Sequence, residues 1–365
     1  MNRFGFVIHP ISVADYARKY PIARFLPPGL VERLGRLKSP MPVGEIRGIR
    51  SEATGEEVSG LFVVCPLTTR QLTEDPAERS LPRVIEAVRV AGEEGAQIVG
   101  LGAMTAVVGD AGVTIAGASE PAVTTGNTYT VATALEGTRR AAELMGTDLP
   151  TATAVVLGAT GSIGRVCAQE LADEVARLIL VVRDRERGEA LAASLGETRA
   201  QVSVETDLDH ALPAADLLLC VSASAEALVH PRHLKPGAVV CDVARPRDVS
   251  VSVARERDDV LVLEGGVVRP PGEHVDLGFN FGFPPGLMYA CMAETALLAL
   301  DGRFEPFSLG RDLQRERVAE ISALAAHHGF RLAGFRSFER ALTDDDLTHI
   351  REHVAARRAA ASQGG

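Results

Sequence analysis

Six short apolar runs, separated by helical and turn stretches, constrain the fold of this chain more than any other feature. They are Ala154-Val155-Val156-Leu157, Leu178-Ile179-Leu180-Val181-Val182, Val202-Ser203-Val204, Leu217-Leu218-Leu219-Cys220-Val221, Val239-Val240-Cys241 and Val260-Leu261-Val262-Leu263. Continuous β-branched runs of this length suit strands buried on both faces, and their spacing predicts a parallel sheet with helical crossovers. Six such strands make one doubly wound domain of the Rossmann kind.

The loop after the first run, Gly158-Ala159-Thr160-Gly161-Ser162-Ile163-Gly164, precedes a helical stretch from Arg165 to Val175. A glycine loop between strand and helix turns sharply, lets backbone approach a pyrophosphate, and offers free amides at the positive end of a helix. Gly158, Thr160, Gly161, Ser162, Ile163 and Gly164 are therefore the expected dinucleotide cradle. The second run ends at Arg183, where an NAD-binding domain carries an acid for the ribose 2′-hydroxyl. Arg183, with Arg185 and Arg187 nearby, suits the 2′-phosphate of NADPH, and Asp184 weakens that preference slightly. Ser222 and Ser224 after the fourth run, and Gly265 and Gly266 after the sixth, are placed to border the same cofactor, although small turn residues occur there without any ligand.

The expected division is an amino-terminal α/β substrate domain over residues 1–150, an NADPH-binding Rossmann domain over 151–284, and a helical carboxyl-terminal segment over 285–365. In the first, Gly60-Leu61-Phe62-Val63-Val64 and Gln97-Ile98-Val99-Gly100-Leu101 read as strands, and Leu81–Val90 and Val131–Met145 as helices. In the third, Pro284-Pro285 introduces a near-continuous apolar helix from Gly286 to Leu300, followed by a second from Arg311 to His328. The alanine-rich stretch from Thr343 reads as a surface helix.

With 48 acidic against 38 basic residues, the net charge of −10 argues against a broad nucleic-acid footprint. No apolar run approaches the roughly 20 residues a membrane span needs, and Met1 is not followed by a secretory core, so a cytoplasmic protein is expected. The cysteines Cys65, Cys167, Cys220, Cys241 and Cys291 are scattered, without the close pairs of zinc sites or disulfide frameworks, and no metal is expected. Four sit in or beside apolar runs and read as packing residues. Cys291 lies near the start of a helix following Gly286, where the positive helix end favours a thiolate.

Further segments carry a family resemblance. Thr124-Thr125-Gly126-Asn127-Thr128-Tyr129-Thr130, Val156 through Gly164, Glu264-Gly265-Gly266-Val267-Val268 and Ala290-Cys291-Met292-Ala293-Glu294 occur in the order seen in cyanobacterial long-chain acyl-carrier-protein reductases. Phe4-Gly5-Phe6-Val7-Ile8-His9, Leu101-Gly102-Ala103-Met104-Thr105, Phe307-Ser308-Leu309-Gly310-Arg311 and His328-Gly329-Phe330 are similar to that family's motifs as well. Residues 10–60 and the tail beyond about 340 match poorly.

The resemblance implies NADPH-dependent reduction of a fatty acyl thioester to the aldehyde, with Cys291 carrying the acyl chain. Acyl-carrier protein or acyl-CoA is then the acyl donor, and an aldehyde-consuming enzyme a further partner. An oxyanion forming at the carbonyl needs donors. Thr105, Asn127 and Thr128 are candidates, with loop capping the competing role. Glu294, one helical step beyond Cys291, is a candidate for structure or proton handling, and His9 and His274 are candidate proton donors that core or surface placement would remove. Met104, Met288 and Met292 suit an acyl channel or plain packing. A basic face for an acidic carrier would include Arg33, Arg36 and Lys38, or Arg311, Arg315 and Arg317. The rival readings are a shikimate- or amino-acid-dehydrogenase-like enzyme acting on a small polar substrate, and a non-enzymatic NADPH-sensing module. The first needs a lysine base, scarce in this chain; the second leaves Cys291 without a role.

Overall fold

The computed structural model describes residues 1–224, 226–282 and 284–363. Its fold class is α/β, in two units, one built on residues 1–129, 268–313 and 320–331 and the other on 130–267, 314–319 and 332–365.

The first unit is built on five strands, β1 (Asn2–Ile8), β2 (Met41–Arg50), β3 (Glu57–Val64), β4 (Ile98–Leu101) and β5 (Ala122–Thr124), in the order β2-β3-β1-β4-β5. All neighbours are parallel except β2 and β3. Because side chains alternate along a strand, the sheet has two distinct faces. Val7, Leu61, Val63, Val99 and Leu101 join Val84, Ala87, Val88 and Ala91 of the helix Ala77–Glu93 in one core. The other face carries Phe6, Phe62 and two glycines, and the helix Ala290–Leu300 packs on it over β1, β3 and β4. A Cβ on Gly100 would lie 2.2 Å from Thr295 Oγ1 and 2.5 Å from the Phe6 ring, so only glycine lets the helix lie this close. All residues of that helix except Cys291 are buried.

The second unit contains the six predicted strands, as β6 (Thr153–Leu157), β7 (Arg177–Val181), β8 (Gln201–Glu205), β9 (Leu217–Cys220), β10 (Val239–Asp242) and β11 (Leu261–Glu264). They form a wholly parallel sheet in the order β11-β10-β9-β6-β7-β8. The order reverses between β6 and β9, the switch point at which doubly wound sheets take ligands.

This division corrects the expected one. The Cys291 helix belongs to the first unit rather than to a separate carboxyl-terminal segment, the helix starting at Asn127 contributes to the second from Thr130 onward, and the main stretch of that unit ends at Val267 rather than at 284. The reason is packing: an apolar helix without a polar face needs a sheet to cover, and β1, β3 and β4 supply it. The tail helix, Asp344–Gln363, and the hairpin before it are part of the second unit.

Candidate active site and cofactor cradle

The helix bearing Cys291 starts later than its sequence suggests. Met288 and Tyr289 are extended, Tyr289 is the N-cap, and Ala290 opens the helix, so Cys291 stands second rather than deep in the first turns. The Tyr289 side chain makes no capping bond to the helix, and no acid occupies its first turn. A side chain there faces the positive end of the backbone dipoles. Cys291 is half-buried, whereas the other four cysteines are buried. Burial pushes the Cys65 and Cys241 thiols up to about 12, and those of Cys167 and Cys220 up as well, so they stay protonated and inert.

Gly126 is pressed onto Cys291. Its φ is +72°, and a Cβ there would stand 2.3 Å from Cys291 Cα and 2.5 Å from the Cys291 carbonyl oxygen. The segment carrying Gly126 is riveted in place by Glu294 and Ser308. Glu294 Oε1 accepts from Thr124 Oγ1 at 2.6 Å and Ser308 Oγ at 2.7 Å, Oε2 accepts from the Tyr129 amide at 2.9 Å, and the Gly126 amide also donates to the carboxylate. Ser308 further accepts from the Thr128 amide at 3.1 Å, shares a 2.6 Å hydroxyl bond with Thr128 Oγ1, and donates its own amide to Thr124 Oγ1 at 3.0 Å.

Burial pushes the Glu294 carboxyl above its ordinary range, and its four donors offset that only in part. Charge-assisted bonds at roughly 1.5–3 kcal/mol each are of the size of the several-kcal/mol cost of burying a carboxylate, so the group is affordable as an anion only with all of them in place. Glu294 is thus a positioning residue: it fixes the Gly126 segment against Cys291.

The expected oxyanion donors separate. Asn127 follows Gly126 and is half-buried, in reach of solvent as Cys291 is. Thr128 is buried and its polar atoms are engaged with Ser308. Thr105 is fully buried and its hydroxyl donates to the Gly102 carbonyl at 2.7 Å, the capping role. His9 is also structural: Nδ1 donates to the Pro10 carbonyl at 2.9 Å, Nε2 accepts from the Met104 amide at 3.2 Å, and burial lowers its pKa, which leaves a neutral ring with both nitrogens occupied. His274 is exposed, and Met104, Met288 and Met292 are buried. Ser308 and Gly126 lie in segments that the sequence singles out, but nothing local marks Ser308 as a partner of Glu294, 14 residues earlier.

In the second unit the glycine loop has the shape a pyrophosphate needs. Gly158 has φ +88°, and its Cβ would lie 2.9 Å from the Ser222 amide, while a Cβ on Gly164 would meet the Gly158 carbonyl at 2.4 Å. Gly161 caps the helix Ser162–Ala172 without a side-chain bond, and Thr160, Gly161, Ser162 and Ile163 reach the surface. The donor set and the absent Cβ atoms fit a dinucleotide phosphate. Ser222 borders the loop by its backbone, but its hydroxyl is held by Asp248 at 2.5 Å. Burial pushes the Asp248 carboxyl up to about 6, with the neighbouring Asp242 carboxylate adding to the shift. Gly265 packs against Cys241 and Val243, and Gly266 takes φ +78°.

Asp184 caps the helix Arg185–Ser194, accepting from the Arg187 amide at 3.2 Å, and is thereby committed to structure. Arg185 bonds the Val204 carbonyl, whereas Arg183 is exposed. Of the basic clusters, Arg36 pairs with Asp75 and Arg315 with Glu170 and Asp173, while Arg33 and Lys38 are exposed. Among the described residues no helix is long and apolar enough to cross a membrane.

A profile of the shikimate/quinate 5-dehydrogenase family matches residues 139–263. The chain is 30% identical over 362 residues to aminotransferase PigE of Serratia sp., covering 96% of this chain and 42% of that protein. It is 29% identical over 295 residues to the long-chain acyl-[acyl-carrier-protein] reductase of Synechococcus elongatus, covering 77% of this chain and 84% of that one. Among solved structures, quinate dehydrogenase from Corynebacterium glutamicum in complex with NAD aligns with a TM-score of 0.37 at 12% identity, covering 88% of this chain and 98% of that chain. This chain thus spans less than half of the aminotransferase it resembles. Through the dehydrogenase profile and the acyl-carrier-protein reductase, it is a distant relative of oxidoreductases.

Proposed function

We propose that this chain reduces a long-chain fatty acyl thioester, delivered on acyl-carrier protein or coenzyme A, to the fatty aldehyde with NADPH, through an acyl group held on Cys291. The observation that carries this reading is the placement of Cys291: half-buried, second in its helix, with the Gly126 segment pressed onto its backbone. The similarity to an acyl-carrier-protein reductase supports it.

The Cys291 thiolate attacks the thioester carbonyl, forming a new C–S bond while the carrier leaves as its thiolate and takes a proton. The helix start stabilises the attacking sulfur, and Asn127, beside Gly126, is the side chain we assign to the carbonyl oxygen as its charge develops. Glu294 keeps that geometry rigid. A bound nicotinamide would supply hydride for the reduction. Gly158, Thr160, Gly161, Ser162, Ile163 and Gly164 would hold its pyrophosphate, Arg183 its 2′-phosphate, and Ser222, Gly265 and Gly266 would line its other end. Thr105 is left to structure.

The Serratia relative is named an aminotransferase, and aminotransferases accept carbonyl compounds, so an enzyme consuming the aldehyde by transamination is the partner class this reading favours. A small-polar-alcohol dehydrogenase is the alternative drawn from the shikimate/quinate match. That match ends before Cys291, Asn127 lies outside it, and neither gains a role there.

The test is incubation with a long-chain acyl thioester without NADPH, followed by intact mass. The proposal expects one added acyl group, absent in Cys291→Ser. Labelling that survives this substitution, or no labelling with NADPH binding intact, would overturn it.

A further inference from the structure

We propose that Phe62, Phe279, Phe281 and Tyr289 form the seat for the alkyl chain of the acyl group on Cys291, an inference that rests on the function proposed above. The seat is built by the segment leading into the Cys291 helix. That segment runs along β2: the Arg50 amide donates to the Pro271 carbonyl at 3.0 Å, and Arg47 and Asp276 exchange backbone bonds of 2.9 and 3.0 Å. Gly278, at φ +60°, lies so close to β2 that a Cβ would meet the Glu45 carbonyl at 2.4 Å. Phe279 and Phe281 both bring their rings against Phe62, on the sheet face that also carries the Cys291 helix.

The rings form one connected wall. Phe62 lies 5.9 Å from Phe279 and 5.2 Å from Phe281, the latter two are 4.7 Å apart, and Phe281 is 6.1 Å from Tyr289. Phe6, 6.3 Å from Phe62, backs the wall from below. Its base is buried, Phe281 and Tyr289 are half-buried, and Phe279 at the lip is 37% exposed. The chain holds only 12 Phe and 4 Tyr with no Trp, so this concentration on one face is a marked departure from its composition. The wall ends at Tyr289, the cap of the helix whose second residue is the nucleophile.

An uncharged aromatic wall left partly open favours an apolar occupant, since covering it recovers about 25 cal/mol per Å². The occupant that continuity selects is the chain tethered two residues further on. Sequence alone points to methionines, but Met104, Met288 and Met292 are packed away.

The test compares kcat/KM for hexadecanoyl- and butanoyl-coenzyme A in the wild type, Phe279→Ala and Phe281→Ala. The proposal expects the long-to-short ratio to exceed one in the wild type and to fall about tenfold in each variant, the loss of one aromatic contact. An unchanged ratio, or equal loss on both substrates, overturns it while leaving the acyl-enzyme reading in place. A dimer in sedimentation that Phe279→Ala dissociates without moving the ratio would assign the wall to a second copy instead. Failure of both thioesters to label Cys291 in the wild type would remove the underlying reading. Far-ultraviolet circular dichroism and NADPH binding confirm that each variant is folded, and Phe279, exposed at the lip, is the substitution least able to disturb the core.

Discussion

The cradle at Gly158 and the clamp at Gly126 solve the same problem by opposite routes. Both use a glycine with positive φ to bring backbone where a Cβ would collide. The cradle's phosphate loop is one contiguous strand–loop–helix turn, although the backbone that Gly158 is pressed against belongs to the distant Ser222. The clamp is assembled from segments far apart in sequence: Tyr129 and Glu294, 165 residues apart, share one bond, and Ser308 and Thr128, 180 residues apart, share another. A locally encoded site can be carried between proteins of different activity, whereas one built from long-range bonds depends on the whole unit. The shikimate/quinate profile matching the second unit and stopping short of Cys291 is what that difference would produce.

The contrast breaks most sharply at Cys291, the nucleophile we propose. Cys291→Ser should lower turnover by at least about 10³-fold with NADPH affinity unchanged, measured by steady-state kinetics and cofactor titration. Next comes Gly126→Ala, which puts a methyl into the Cys291 backbone and strains a left-handed residue by about 1–2 kcal/mol. Displacing the nucleophile should cost about 100-fold in kcat, again without weakening NADPH binding. A Gly126→Ala enzyme of normal activity would show that the clamp does not position the sulfur.

On the other side, Arg183→Ala should raise Kd for NADPH about 10- to 100-fold, one charge-assisted contact, and change that for NADH by less than about threefold. Equal effects on both cofactors would remove the 2′-phosphate assignment. The remaining prediction concerns stability rather than turnover or cofactor affinity. The Asp248 carboxyl titrates near 6 in the fold against about 3.9 when unfolded, so the folded state binds the proton more tightly. Its contribution is fully present below about pH 4 and is lost as pH rises through 6, a change of roughly 3 kcal/mol. Asp248→Asn should lack this slope, gaining stability relative to wild type between pH 4.5 and 7.5 in urea unfolding. Parallel profiles would show that Asp248 is unperturbed.

The second unit was legible because its inner parallel strands, covered on both faces, read as unbroken apolar runs, and the edge strand β8, with no buried residue, still emerged from Val202-Ser203-Val204. β2 was not. It is an edge strand interrupted by Pro42, Gly44 and Gly48, with register shifts at Pro42/Gly44 and Ile46/Ile49, so no alternation survives. Pro284-Pro285 imitates a helix start, yet Met288 and Tyr289 stay extended and the helix waits until Ala290. The placement of Cys291 at a helix start and of the glycine loop between strand and helix was readable from the sequence. The fate of Thr105 was not, since its hydroxyl turns back on Gly102 in a local bond that competes with any catalytic use. The aromatic wall had no linear signature either, because its rings come from β3 and from a segment some two hundred residues later that folds back along β2.

The central claim is that Cys291 carries the substrate between the two halves of the reaction. Acyl-enzyme formed with a radiolabelled hexadecanoyl thioester, freed of excess donor and then mixed with NADPH, tests this in a single turnover. The account predicts that the label maps to the Cys291 peptide beforehand and appears afterwards as an equimolar amount of hexadecanal. Label on another residue, or an adduct that NADPH leaves untouched, would contradict it.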